Sequence, residues 1–285
     1  MRYQTTLLGL GFSVLLGLGG CSSSSDTTPT TTTTTGHGGS GGGSGGSGGA
    51  GGSTAVCTDP TAVPCSDQVI QQMNLKSTTA PGLIQSVADG SGWYSLVDAT
   101  AGGAFNPNPH SYVYAKFNDT GLDKVAISDE QSLDSMDWDI AFRRYVIRIN
   151  SGNSGPSCVT AARLPGTPPP AYDSVTTLPA NLTYHADEYF TAAPDCSLIP
   201  DGTGMPDSPA TALGSYWSYP GCVAMTGNVF VLELASGRHV KLTVTEYYYD
   251  AQAGDPGAGQ TACDDTGTAP SAGSANIHFR WAFLP

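Results

Sequence analysis

The sequence predicts an all-β domain: an antiparallel sandwich or barrel-like fold with one short N-terminal helix and a long irregular insert. Three observations carry that reading. Trp138, Ile140 and Phe142 alternate with Asp139, Ala141 and Arg143, the period of a strand with one buried face. The last third reads as an antiparallel meander: 228–234, a Ser236-Gly237 turn, 238–249, and a closing strand carrying Ile277, Phe279, Trp281 and Phe283. Turn residues punctuate the whole, most sharply the doubled Asn-Ser-Gly of residues 150–155.

Arg2 opens a short positive region, Leu7 to Leu18 is apolar, and Leu18-Gly-Gly-Cys21 closes it with small residues before a cysteine. A transmembrane helix needs roughly 20 apolar residues, so this run reads as a leader removed on export, in the manner of a bacterial lipoprotein signal. Residues 1–20 are then the signal peptide, and Cys21 is the lipidated first residue of the mature chain. Ser22 rather than an aspartate follows, which favours the outer membrane or cell surface. Residues 21–55 add six consecutive threonines and a Gly/Ser run with nothing to bury, a tether spanning roughly 30 Å as a flexible coil. Its Gly-x-Gly-x-x-Gly matches follow from composition and say nothing about nucleotides. Residues 56–285 are long enough for one substantial core.

In that domain, residues 67–76 place Val69, Ile70 and Met73 at helical spacing, with Ser66 or Asp67 as cap. Residues 92–98 and 111–117 read as strands, and Val125-Ala-Ile127 as a shorter one. After Phe142 the apolar parity shifts to Tyr145, Ile147 and Ile149, which predicts a strand that bulges or crosses between sheets. Residues 156–221, rich in Pro, Thr, Ala and Asp, form the insert, and a segment this long and irregular points to function.

Six cysteines remain beside Cys21: Cys57, Cys65, Cys158, Cys196, Cys222 and Cys263. An even count in an exported chain argues for disulfides. Of the 15 connectivities, short separation favours Cys57 with Cys65, leaving Cys158 with Cys196 and Cys222 with Cys263. No Cys-x-x-Cys or His/Cys cluster suggests a metal site. Lys and Arg total 11 against 24 Asp and Glu, a net charge of −13, and no basic run exists, so nucleic acid is excluded as a partner and the membrane is reached through the lipid anchor only.

Hydrolytic motifs are absent: there is no Gly-x-Ser-x-Gly and no His-Glu-x-x-His, and Asp134, Asp137 and Asp139 lack a calcium-loop pattern. The chain therefore reads as no enzyme, with no catalytic residues. Asp137 and Asp139 read as a strand-entry cap and a partner for Arg143 or Arg148.

Trp138-Asp-Ile-Ala-Phe142 running to Asn150-Ser-Gly152 resembles the hallmark of HmuY-like proteins. Phe230-Val-Leu-Glu-Leu-Ala-Ser-Gly237, with Lys241-Leu and Tyr247-Tyr248, resembles that family's closing unit, and 276–283 its last strand. The resemblance covers Gly92 to Phe283 in outline and matches 156–221 poorly. It implies an HmuY-type β-domain on a surface-exposed or secreted lipoprotein that takes haem, or haem from a carrier protein, and passes it to an outer-membrane receptor for iron acquisition. Haem, or a related porphyrin, is the cofactor so implied, and any metal is its iron. The family holds that iron with a histidine pair or with methionine-containing pairs.

No ligand carries over by motif, so the candidates rest on residue type and setting. His185 has aromatic neighbours in the insert, Met205 sits in Gly-rich 201–206, and His110 lies on a Pro/Asn loop. His37 falls in the tether, His239 and His278 read as solvent-facing sheet positions, and Met136 and Met225 as packing. The alternative is a cofactor-free surface adhesion or scaffold domain, or a glycan-binding one using exposed Tyr216, Trp217 and Tyr219.

Overall fold

The computed structural model describes residues 57–100, 111–205, 208–248, 263 and 273–285, all within one compact unit, Gly52–Pro285. The expected leader, lipidation site Cys21, tether and His110 lie outside the described residues. Helix α1 (Ser66–Gln72) precedes β1 (Ile84–Asp89), β2 (Gly92–Asp98), β3 (Val113–Asn118) and β4 (Gly121–Val125). The four-residue α2 (Asp129–Ser132) leads to β5 (Ile140–Arg143), β6 (Val146–Ile149) and β7 (Thr160–Arg163). The ribbon of β8 (Trp217–Ser218) and β9 (Ala224–Met225) then precedes β10 (Val229–Glu233), β11 (His239–Tyr248) and β12 (Ser274–Leu284).

The strands form a six-stranded sheet, β1-β2-β12-β11-β10-β7, and a four-stranded sheet, β4-β3-β5-β6. Neither closes on itself, so the fold is a sandwich and not a barrel. Every strand pair is antiparallel. Between the sheets, Ile140, Phe142, Ile147 and Ile149 meet Phe230, Leu232, Val240, Leu242 and Phe279. Phe142 stacks on Phe279 at 5.5 Å. Each such side chain contributes roughly 1.5–3 kcal/mol on burial.

The stretch around Phe142 differs from its sequence reading. The chain does not bulge or cross: it reverses at Arg144-Tyr145, with Arg143 opposite Val146. Arg144 adopts φ 55°, the left-handed backbone a two-residue hairpin loop uses, and the reversal resets the parity. Val125-Ala-Ile127 is likewise no strand start, because Asn118 Oδ1 accepts from Thr120 N at 2.7 Å and turns the chain earlier. Val125 therefore ends β4. Strands β1, β7, β8 and β9 were not predicted; the last three have two to four residues each. Helix α2 was also missed, although Ser128-Asp-Glu-Gln131 is a readable capping box in which side chain and backbone bond reciprocally.

Much of the insert is packed against the two sheets. Its first part covers the outer face of the six-stranded sheet, packing Leu164, Val175, Tyr172, Leu182 and Tyr184 on Val229 and Val231. Its middle covers the outer face of the four-stranded sheet, where Tyr189, Phe190 and Cys196 join Val69 of α1 and Met73, which follows it, around Trp138 and Tyr114.

That second core holds a fully buried arginine. Arg148 donates from Nε to Ser154 Oγ (3.1 Å), from Nη2 to Ser154 O (2.6 Å) and from Nη1 to Tyr114 Oη (3.3 Å). Its guanidinium also lies 4.7 Å from the Tyr112 ring centroid. The doubled Asn-Ser-Gly supplies the frame. Asn150 Nδ2 donates to Trp138 O (2.8 Å), and Asn153 bridges Pro64 O (3.0 Å) and Phe190 N (3.0 Å). A Cβ on Gly155 would meet Asn150 Oδ1 and lie 2.8 Å from Trp138 Cζ2. Asp139 and Arg148 are not partners as expected: Asp139 Oδ2 accepts from Phe117 N at 3.0 Å, and Arg143 lies 3.5 Å from Asp129. Arg148→Ala leaves buried acceptors and carboxylates uncompensated. It is expected to cost about 3–5 kcal/mol, read as a lower midpoint in urea unfolding.

Candidate functional site

One end of the sandwich gathers the β5–β6 turn, the 3-10 turn Gly214–Tyr216, the β8–β9 ribbon and the end of β11. Tyr145 and Trp217 are 5.1 Å apart, Trp217 and Tyr219 6.2 Å, and Tyr247 and Tyr248 4.9 Å. Tyr216 Oη donates to Tyr145 O at 2.8 Å, and Val223 N donates to Tyr248 Oη at 3.0 Å. Thr226 Oγ1 and Asn228 Nδ2 both donate to Ser215 O, at 2.8 and 2.7 Å. Burial holds the Tyr216 and Tyr247 phenols well above their usual range, with neighbouring tyrosines adding to it. The wall is therefore neutral and aromatic, with one cation beside it: Arg144 lies 4.9 Å over the Tyr145 ring.

Two thioethers reach this end. Met225 stands opposite Trp217 in the β8–β9 register and is half-buried. Met205 is half-buried against the main core, on a turn built by Asp201. That carboxylate accepts from Thr203 N (2.9 Å), Thr203 Oγ1 (2.6 Å) and Ser208 Oγ (2.6 Å), and Thr203 Oγ1 accepts from Met205 N (3.3 Å). The turn packs on Gly214, whose Cβ position is 4.0 Å from Asp201 Cβ. Met225 thus stands across from Trp217, and the turn that leads to Met205 begins beside Gly214 at Asp201.

The other candidates fare differently. His185 is exposed on the edge of β7, its backbone exchanging two 2.9 Å hydrogen bonds with Ala161. Tyr216 and Trp217 are 1% and 4% exposed, so only Tyr219 of the expected sugar-stacking rings faces solvent. His278 is not solvent-facing: it is buried, with Nδ1 2.8 Å from Tyr94 Oη and 3.0 Å from Glu246 Oε2. His239 is half-buried beside Tyr184, ring centroids 6.3 Å apart. Met225 was passed over because a methionine in a strand-rich sequence reads as core; its position across from Trp217 needs the ribbon register.

Cys65 bonds Cys196 and Cys222 bonds Cys263. The expected Cys57–Cys65 and Cys158–Cys196 pairs do not form, because packing of the insert on α1 brings Cys196 to Cys65. The second bridge fixes Cys222, three residues before Met225. Among the described residues no three His, Cys, Asp or Glu side chains gather as a metal-holding group, and no helix is long and apolar enough to cross a membrane.

This is an antiparallel β-sandwich whose insert clothes both outer faces and whose one end presents rings, thioethers and a guanidinium. The family model described as "HmuY protein" matches residues 108–259, and the chain belongs to that family. No curated protein matches it in sequence. Among solved structures it is similar to a candidate lipoprotein of Bacteroides fragilis, at 14% identity and a TM-score of 0.39 over 69% of this chain and 93% of that one. A candidate HmuY-like haem-binding protein of Bacteroides vulgatus gives 14% and 0.38 over 67% and 91%. The apo HmuY analogue of Tannerella forsythia gives 16% and 0.34 over 73% and 98%.

The Asp187 carboxylate positions this end by accepting from Ala212 N (2.8 Å), while its other oxygen accepts from Ile149 N (2.9 Å) and Ser154 Oγ (2.6 Å). Burial pushes it up to about 6, against the lowering effect of those donors and Arg148. Because the folded value lies above the unfolded one, the native state binds the proton more readily. Its contribution is full below about pH 4 and is lost as pH rises through 6, on the order of 3 kcal/mol. Urea unfolding from pH 4 to 7 should show that component falling, and Asp187→Asn should remove it.

Proposed function

We propose that this protein binds haem, or a related porphyrin, without catalysis, as an extracytoplasmic lipoprotein anchored through Cys21 at the outer membrane or cell surface. It would take haem free or from a haem-carrying protein and pass it to an outer-membrane receptor for iron acquisition. Family membership supports the ligand class, and the pairing of Met225 with Trp217, with the Asp201 turn before Met205 beside Gly214, supports the place. The residues suit the group: thioethers are soft donors for haem iron, the tilted rings make an apolar cluster, and Arg144 can meet a propionate. Bound haem supplies its iron as cargo; the chain's work is to hold and orient it. Of the candidates His185, Met205 and His110, we take Met205 as a ligand with Met225 as its companion, because the exposed His185 lies at the β7 edge beside Ala161, away from this end of the sandwich.

Titration of the protein with hemin, oxidised and reduced, should shift the Soret band beyond a protein blank. Met205→Ala and Met225→Ala should each weaken binding tenfold or more, about 1.4 kcal/mol, with His185→Ala unchanged. Absence of any Soret shift in both redox states would leave the cofactor-free surface domain as the reading. Loss of binding in His185→Ala alone would move the site to the β7 edge.

A further inference from the structure

Cys57 and Cys158 are the two cysteines outside a disulfide among the described residues, yet three independent contacts set them side by side. The 57–64 segment runs antiparallel to 153–158: Asn153 Nδ2 donates to Pro64 O at 3.0 Å, Thr61 N donates to Pro156 O at 2.7 Å, and the two thiols hydrogen-bond each other. The β7–β10 ladder gives the same placement. Thr160 faces Glu233, so the register extended by two residues sets Cys158 opposite Ala235, whose carbonyl accepts from Cys57 N at 3.1 Å.

We propose that Cys57 and Cys158 form a third disulfide, which fastens the point where the Ser/Thr/Gly-rich stretch enters the fold to the β7 edge of the six-stranded sheet. The bond forms by thiol–disulfide exchange with an external disulfide oxidant. The two thiols give up two protons and two electrons as the S–S bond forms, and the oxidant's own disulfide is reduced to two thiols. The Cys65–Cys196 and Cys222–Cys263 bridges require the same class of oxidant, and Cys158 is exposed to it. The pair is not a catalytic dithiol. Partial desolvation, then the hydrogen bond that the Cys158 thiol donates to Cys57, push it up to about 12, the reverse of the depressed value a reactive cysteine needs. The disulfide's structural effect is to hold 57–64 against 153–158 and the end of β10 at Ala235.

Trypsin separates the possibilities, because Cys158 alone among the cysteines lies in the peptide Ile149–Arg163. The sample is full-length protein from an export route, chosen as material in which Cys65–Cys196 and Cys222–Cys263 are linked. It is denatured, alkylated without reduction and digested. Ile149–Arg163 should be missing at its own mass, should travel with the peptide ending at Lys76, and should separate from it on reduction. In Cys57→Ser it should be released in alkylated form. Recovery of alkylated Ile149–Arg163 from the wild-type chain overturns the proposal, and so does a linkage that persists in Cys57→Ser.

Discussion

The structure depends on one buried charge. Arg148 is fully enclosed, so its hydration must be replaced by fixed partners, and these come from three parts of the chain. Ser154 belongs to the doubled Asn-Ser-Gly turn, Tyr114 to β3, and the Tyr112 and Trp138 rings to segments on either side of α2. An isolated buried guanidinium costs several kcal/mol, so the fold is favourable only when these segments close together. Two buried carboxylates complete the arrangement. Asp129 gathers Tyr112 N, Tyr114 Oη and Lys76 N, all at 2.8 Å, and Asp187 shares Ser154 with Arg148. Sheet, helix layer and insert are thereby tied through polar contacts with little tolerance for displacement.

This arrangement explains why so irregular an insert is ordered. A 66-residue span without long strands or helices supplies few backbone bonds of its own, and order has to come from what it covers. Here it covers apolar faces on both sheets, and Asp187 crosses from the β6 backbone at Ile149 to Ala212 at the start of the ring-rich end. The Cys65–Cys196 bridge closes the same layer. Length and irregularity in a sequence therefore do not separate a functional loop from a coat over exposed sheet.

Sheet content was legible because alternation is local. Asn228–Leu234 and Ile277–Phe283 gave their strands within a few residues, since each turns one face to a single large core. The parity change after Phe142 was visible too, but its cause was not, because a positive φ at Arg144 leaves no mark in residue type. His278 reads as a surface position by alternation with Ile277 and Phe279. It is buried because the far face of β12 is itself covered, which is tertiary information. Cysteine spacing failed for a related reason. The span from Cys65 to Cys196 is 131 residues, and nothing local shows that they meet.

The site was the least legible part because its pieces are individually ordinary. Met205 stood out only through its glycines, and Met225 not at all. What distinguishes them is that an Asp201-built turn and a two-residue ribbon are packed on the same 3-10 turn. Soft donors on short elements gain precision from their supports: the Asp201 carboxylate spends its acceptors on the turn, and the Cys222–Cys263 bridge and Tyr248 hold the ribbon. A scaffold locked by buried charge at its centre can thus support short elements at its end. The Arg148 layer and the ring-rich end are parts of one arrangement, joined through Asp187 between Ser154 and Ala212.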